Sequence, residues 1–134
     1  MFPCDSSDTL PPFSKFFIIF SITSAPLDAT TTAYGTGNEV SASGSYAAGG
    51  GALTNSGAAA TGATAFIDFA DLSFTSATIS AQAAVIYNSN TTATTNTNAA
   101  VMVLDFGAVK TSTSGTFTIQ FPTADSSNAI LRIS

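Results

Sequence analysis

The stretch AAVMVLDFGAVKTSTSGTFTIQFPTADSSNAILRI, residues 99–133, decides how the rest of the chain is read. It holds three apolar segments: residues 101–106, then Phe117, Ile119 and Phe121 at period two, then residues 129–133. Valine, isoleucine and aromatic residues in that pattern suit a pleated surface with one buried face, which predicts strands. TSTSG (111–115) and PTADSSN (122–128) between them are small and polar. The spacing therefore predicts a hairpin loop at the first and a longer loop at the second. Asp105-Phe106-Gly107 spells the metal-binding tripeptide of protein kinases, but the other kinase signatures are missing. It reads as a strand end followed by a turn glycine.

Working outward, ATISAQAAVIYN (77–88) alternates Ile79, Ala81, Ala83, Val85 and Tyr87 against Ser80, Gln82, Ala84 and Ile86, again a strand. SNTTATTNTN (89–98) is a polar loop, and its Asn90-Thr91-Thr92 matches a glycosylation sequon, taken as a chance match. TGATAFIDFADLSF (61–74) gives a strand with Ala63, Ala65, Ile67 and Phe69 on one face and a turn at Ala70-Asp71. Asp68 and Asp71 could supply oxygens to a calcium ion, which needs six to eight of them. The preferred reading is a solvated strand aspartate and a turn aspartate.

Residues 24–53 are rich in Gly, Ala, Ser and Thr and read as a long loop region, with short strands flanking Val40 and Tyr46. Gly35-Thr36-Gly37 is no dinucleotide fingerprint, because Val40 takes the third glycine position. FSKFFIIFSI (13–22) is the most hydrophobic stretch, too short to span a bilayer as a helix of about 20 residues. It reads as a buried strand. A cleaved leader is the alternative, and Asp5 and Asp8 stand where that leader would carry basic residues. MFPCDSSDTLPP (1–12), with three prolines, reads as an extended arm. Residues 1–12 are thus an N-terminal arm and 13–134 one domain, with an all-β fold, an antiparallel β-sandwich of jelly-roll type. No stretch has the periodicity of an amphipathic helix.

Charged residues make up only 8% of the 134 residues, against about a quarter in ordinary domains. With so little charge repulsion, a free monomer tends to associate, so homo-oligomers or a covered surface are expected. The net charge of −5, and cations limited to Lys15, Lys110 and Arg132, exclude a basic patch for nucleic acid. No membrane partner is expected either. The single Cys4 allows no intrachain disulfide.

Histidine is absent, which removes the commonest general base and metal ligand and any histidine-based triad. No serine sits in G-x-S-x-G, and a glycosidase pair of carboxylates would lack tryptophan platforms. No enzymatic activity, cofactor or metal is expected.

Several motifs occur together in order. They are Glu39-Val40, Tyr46 and Gly49-Gly50 within residues 31–53, FIDFADLSFTSATISAQAAVIYN (66–88), and AVMVLDFGAVKTSTSGTFTIQFPTADSSNAILRI (100–133). From about Thr30 to the C-terminus the chain resembles a family of small structural proteins of tailed bacteriophages, common in marine phages. The hydrophobic 13–22 segment departs from that pattern, where an amphipathic segment is expected. The resemblance implies a β-rich virion component on the exterior of the head or on the tail. The expected role is a capsid decoration (cement) protein docked on the major capsid protein. A tail or fibre component is the alternative, and a secreted glycan-binding module a third. Partner contacts are expected at Phe2, Pro3, Pro11 and Pro12 of the arm and at Tyr34 and Tyr46 of the glycine-rich region.

Overall fold

The computed structural model describes residues 30–89 and 97–134, residue 27, and the backbone of 16–21. Among the described residues seven strands form two antiparallel sheets, and no α-helix occurs. The strands are β1 (Phe16–Ser21), β2 (Gly51–Ala52), β3 (Ala59–Thr61), β4 (Thr64–Ile67), β5 (Leu72–Asn88), β6 (Ala99–Ile119) and β7 (Leu131–Ile133). The larger sheet has the order β2-β1-β5-β6 and the smaller β3-β4-β7, and neither closes into a barrel. The all-β expectation holds.

β5 organises the molecule. In its first half the pleat puts Ala77, Ile79 and Ala81 inside and Thr78 and Ser80 outside at period two, and the bulge at Ser76 keeps Phe74 on the inner face as well. From Ala83 to Tyr87 every residue is buried, so both faces are covered. Ala84 and Ile86 join the main core with Val40, Tyr46, Leu53, Phe69 and Phe117, while Val85 and Tyr87 face a second cluster with Leu27, Tyr34 and Val103. A continuous apolar run is what a strand covered on both sides needs. Fully burying a side chain such as Ile79 or Ile86 is worth roughly 1.5–3 kcal/mol.

The stretch 99–119 corrects the sequence expectation. The strand expected at 101–106 and the first part of the alternating segment are one continuous strand, β6, of 21 residues paired along the 17 of β5. The excess length is taken up in bulges, where register shifts and φ turns positive at Gly107 (70°) and Ser114 (49°). TSTSG is therefore no hairpin loop. Its small hydroxyls lie within the strand, with Ser112 Oγ donating to the Ala77 carbonyl at 2.6 Å and Ser114 N–H donating to Thr78 Oγ1 at 3.0 Å. Gly107 is not a turn after a strand end but a bulge held by Asp105 Oδ1, which accepts its N–H at 2.8 Å. Bulges of this kind bend and twist an edge strand.

The described residues between 30 and 50 are irregular, as expected, with a 3-10 turn at Thr36–Asn38. The expected strands flanking Val40 and Tyr46 are reduced to an isolated Ser43↔Tyr46 bridge. That turn docks on a bulge in β5, where Ser76 has φ +51°. Ser45 N–H donates to the Thr75 carbonyl at 3.0 Å, Thr75 N–H to Ser45 Oγ at 2.8 Å, and Thr78 N–H to Ser43 Oγ at 2.9 Å. The turn thus satisfies backbone groups that bulging frees from the ladder. Gly44, at φ +58°, fits where a Cβ would lie 2.3 Å from the Ser76 carbonyl oxygen. The extended segment expected at 61–69 is shorter than the alternation suggested. Ala63 lies in the β3–β4 turn, and Phe69 is buried in an isolated bridge with Asn55.

Candidate functional site

All three tyrosines of the chain converge around its only glutamate, Glu39. The Tyr34 hydroxyl donates to Oε2 at 2.7 Å, and the Tyr46 hydroxyl to Oε1 at 3.0 Å. The Gly49 N–H donates to the same Oε1 at 2.7 Å, while the Tyr87 hydroxyl donates to the Gly49 carbonyl at 2.6 Å. The rings of Tyr34 and Tyr87 stack with centroids 4.7 Å apart. Gly49 and Gly50, at φ +90° and +89°, let the loop turn tightly enough to aim this N–H at the carboxylate. Burial first, then the hydrogen bond and charge of Glu39, push the Tyr34 hydroxyl up to about 12. Burial and the same charge raise Tyr87. Both hydroxyls therefore stay protonated as donors across the physiological range.

A carboxylate that accepts three hydrogen bonds from its own chain orients a loop. The cluster clamps residues 34–49 onto the end of β5. Tyr46, expected at a partner surface, is instead 1% exposed and edge-on to Phe74 in the core. Tyr34 is half-buried in the clamp. Phe2, Pro3, Pro11 and Pro12 lie outside the described residues. In the sequence Glu39 stands out only as part of the Glu39-Val40 motif, and Tyr87 only as a member of an alternating strand. The signal that could have found them is composition: one glutamate and three tyrosines in a chain short of both.

Asp68 and Asp71 do not form a shared site. Asp68 is 1% exposed, not solvated as expected, and its carboxylate accepts the N–H of Phe69 at 2.8 Å and of Ile130 at 3.3 Å. Asp71 is exposed and accepts the Phe121 N–H at 2.8 Å. Each carboxylate therefore pins the segment after β6 to the β4–β5 region. Asp125 shapes the remaining turn. The Asn128 side chain, with the Ser127 N–H, holds its carboxyl below the ordinary range. Arg132 donates to the Ser127 carbonyl. Among the described residues no group of three or more Cys, Asp or Glu is placed to hold a metal ion.

The open part of the surface lies elsewhere. A cleft of about 510 Å³ runs beside β6, with Leu104, Phe106, Phe117, Phe121 and Ile130 among its walls and Lys110 as its one charged residue. Its volume is in the range of ligand-binding clefts. The outer edge of β6 meets Thr32–Tyr34 only at its start, through an Ala33↔Ala99 bridge. From Val101 onward no described strand pairs with that edge. Val101 (43% exposed), Val109 (51%), Leu131 (42%) and Ile133 (71%) add apolar surface on β6 and on the edge strand β7. No described helix is long and apolar enough to cross a membrane.

Comparison with protein-family models, with curated proteins and with solved structures finds no match.

Proposed function

We propose that this chain is a structural subunit of a bacteriophage virion, a capsid decoration protein that docks on the major capsid protein and stabilises the head. The observation that carries the reading is the open edge of β6, a long strand that exposes backbone donors and acceptors together with Val101 and Val109. An unpaired edge of that length is a pairing template, and native proteins cover such edges or break them up. Here the Gly107 bulge interrupts it, while Lys110 and Asp105 are its only charges. In a chain with 8% charged residues, a partner surface supplies the cover that surface charge gives other proteins. The two sheets then act as a sandwich-type body, with one side buried against the head. The ordered motifs from Thr30 onward that resemble phage structural proteins support the same reading.

The test is reconstitution. Purified protein is added to heads that lack it, and its co-sedimentation and the temperature of head disruption are measured. Saturable binding with a raised disruption temperature supports the proposal. Failure to co-sediment with heads contradicts it, and binding confined to tails selects the tail-component alternative.

A further inference from the structure

The cleft beside β6 combines an apolar floor with a single ammonium, Lys110, which has no ion pair among the described residues. Its occupant should therefore be apolar and acidic. The chain itself carries a segment of that chemistry: MFPCDSSDTLPP, residues 1–12, sets Phe2 and Leu10 on either side of Asp5 and Asp8 and has no basic residue. Its three prolines favour the extended backbone that lies easily in a groove. We infer that the cleft is the seat of the N-terminal arm of a neighbouring copy, with its aspartates against Lys110 and its apolar residues on Phe106 and Phe117.

Strand direction argues for a neighbour over the same copy. β1 runs from Phe16 beside Asn88 to Ser21 beside Ala83. The cleft lies the other way, because Lys110 pairs with Ala81 and Phe117 with Phe74. From the level of Asn88 back to Ala81 is about 23 Å along the strand, and crossing β5 and β6 adds about 10 Å. Asp5, eleven steps from Phe16, could span that distance at about 40 Å. Phe117, however, lies opposite Phe74, about 46 Å from the level of Asn88. The fourteen steps from Phe2 to Phe16 span at most about 50 Å, which leaves almost no length for the reversal that a same-copy path along the whole cleft requires. An arm from another copy meets no such limit. Arm and cleft are different surfaces, so the contact is head-to-tail and closes into a ring or continues as a lattice.

This inference deepens the subunit reading and rests on it, but its test is separate. Cys4 neighbours Asp5 and is the only cysteine, so an introduced cysteine can pair with Cys4 of another copy, a linkage that peptide mapping tells apart from Cys4–Cys4 and from a pair of introduced cysteines. Gln120→Cys and Thr116→Cys are placed in the exposed cleft lining, and Ala59→Cys in the remote strand β3 serves as control. After mild oxidation of the full-length protein, both cleft variants are expected to form disulfide-linked dimers and higher species. The control is expected to stay monomeric. Lys110→Glu in the Gln120→Cys background should lower the yield several-fold, whereas Lys110→Arg should keep it. A monomer closed by an internal disulfide would overturn the proposal in favour of the same copy's arm. A yield no higher than that of the control would overturn it outright, and would leave the virion reading standing.

Discussion

The Tyr46 hydroxyl donates to Glu39 Oε1 at 3.0 Å, tying a core aromatic to a carboxylate seven residues earlier. Tyr46 is fixed by its edge-on contact with Phe74 of β5, so Glu39 inherits its position from the core. The carboxylate then collects Tyr34 and Gly49, and through Gly49 the Tyr87 hydroxyl. A loop rich in glycine, which loses much entropy on ordering, is held by one side chain at the end of β5.

Glu39→Ala should therefore destabilise the fold by about 2–3 kcal/mol, since hydrogen bonds to a charged group are the stronger kind. Glu39→Gln should cost less, because the amide oxygen still accepts. Denaturant midpoints of the two variants, with unchanged slopes, check this ordering. Equal stability of Glu39→Ala and wild type would mean the cluster holds nothing in place.

Asp68→Asn exchanges one acceptor oxygen for a donor in a buried site. The Phe69 N–H keeps an acceptor only if the amide nitrogen faces the Ile130 N–H, donor against donor. The expected cost is about 1–3 kcal/mol. The exchange protection of the Ile130 amide should fall further than that of the β5 amides, which hydrogen exchange resolved by residue would detect.

Gly44→Ala should be among the most damaging alanine substitutions. The added Cβ would meet the Ser76 carbonyl oxygen at 2.3 Å, on a backbone at φ +58°. A loss of at least about 2 kcal/mol is expected, from strain and from displacing the turn that satisfies the β5 bulge. Gly37→Ala, with no atom within 4 Å of the new Cβ, should be close to neutral. The difference in melting temperature between these two variants is the measurement.

Stability should also fall at alkaline pH. Tyr34 titrates at about 12 in the folded chain and at about 10 when unfolded. Its contribution is complete below about 10 and is lost as pH rises towards 12, because the unfolded state gives up the proton first. Tyr87 adds a loss of the same sign. Tyr34→Phe should lower stability at pH 8 and flatten the slope between pH 10 and 12, as pH-dependent denaturation would show.

What was legible in the sequence follows the range of the forces involved. Alternation along β5 from Ala77 to Ala81 is a local consequence of the pleat. The alternation expected to continue to Tyr87 gives way to burial of both faces at 83–87, because a second cluster with Leu27, Tyr34 and Val103 covers the other side. TSTSG misled because Ser, Thr and Gly serve bulges as well as turns, and only pairing with Ala77 and Thr78 tells which. The burial of Asp68 was illegible for a related reason, since Ile130 lies 62 residues away. Tyr34 and Tyr46, expected as partner contacts, are joined through Glu39 instead, and no spacing rule connects positions 34, 39, 46 and 87. Lys110 gained its meaning only when folding placed it in an apolar cleft.

The central claim is that this chain coats a virion, and its copy number per particle tests that most directly. Absolute quantification of its peptides against those of the major capsid protein, in purified particles of the phage proposed to carry it, should give a fixed ratio matching the symmetry of the head lattice. Absence from purified particles would contradict the account.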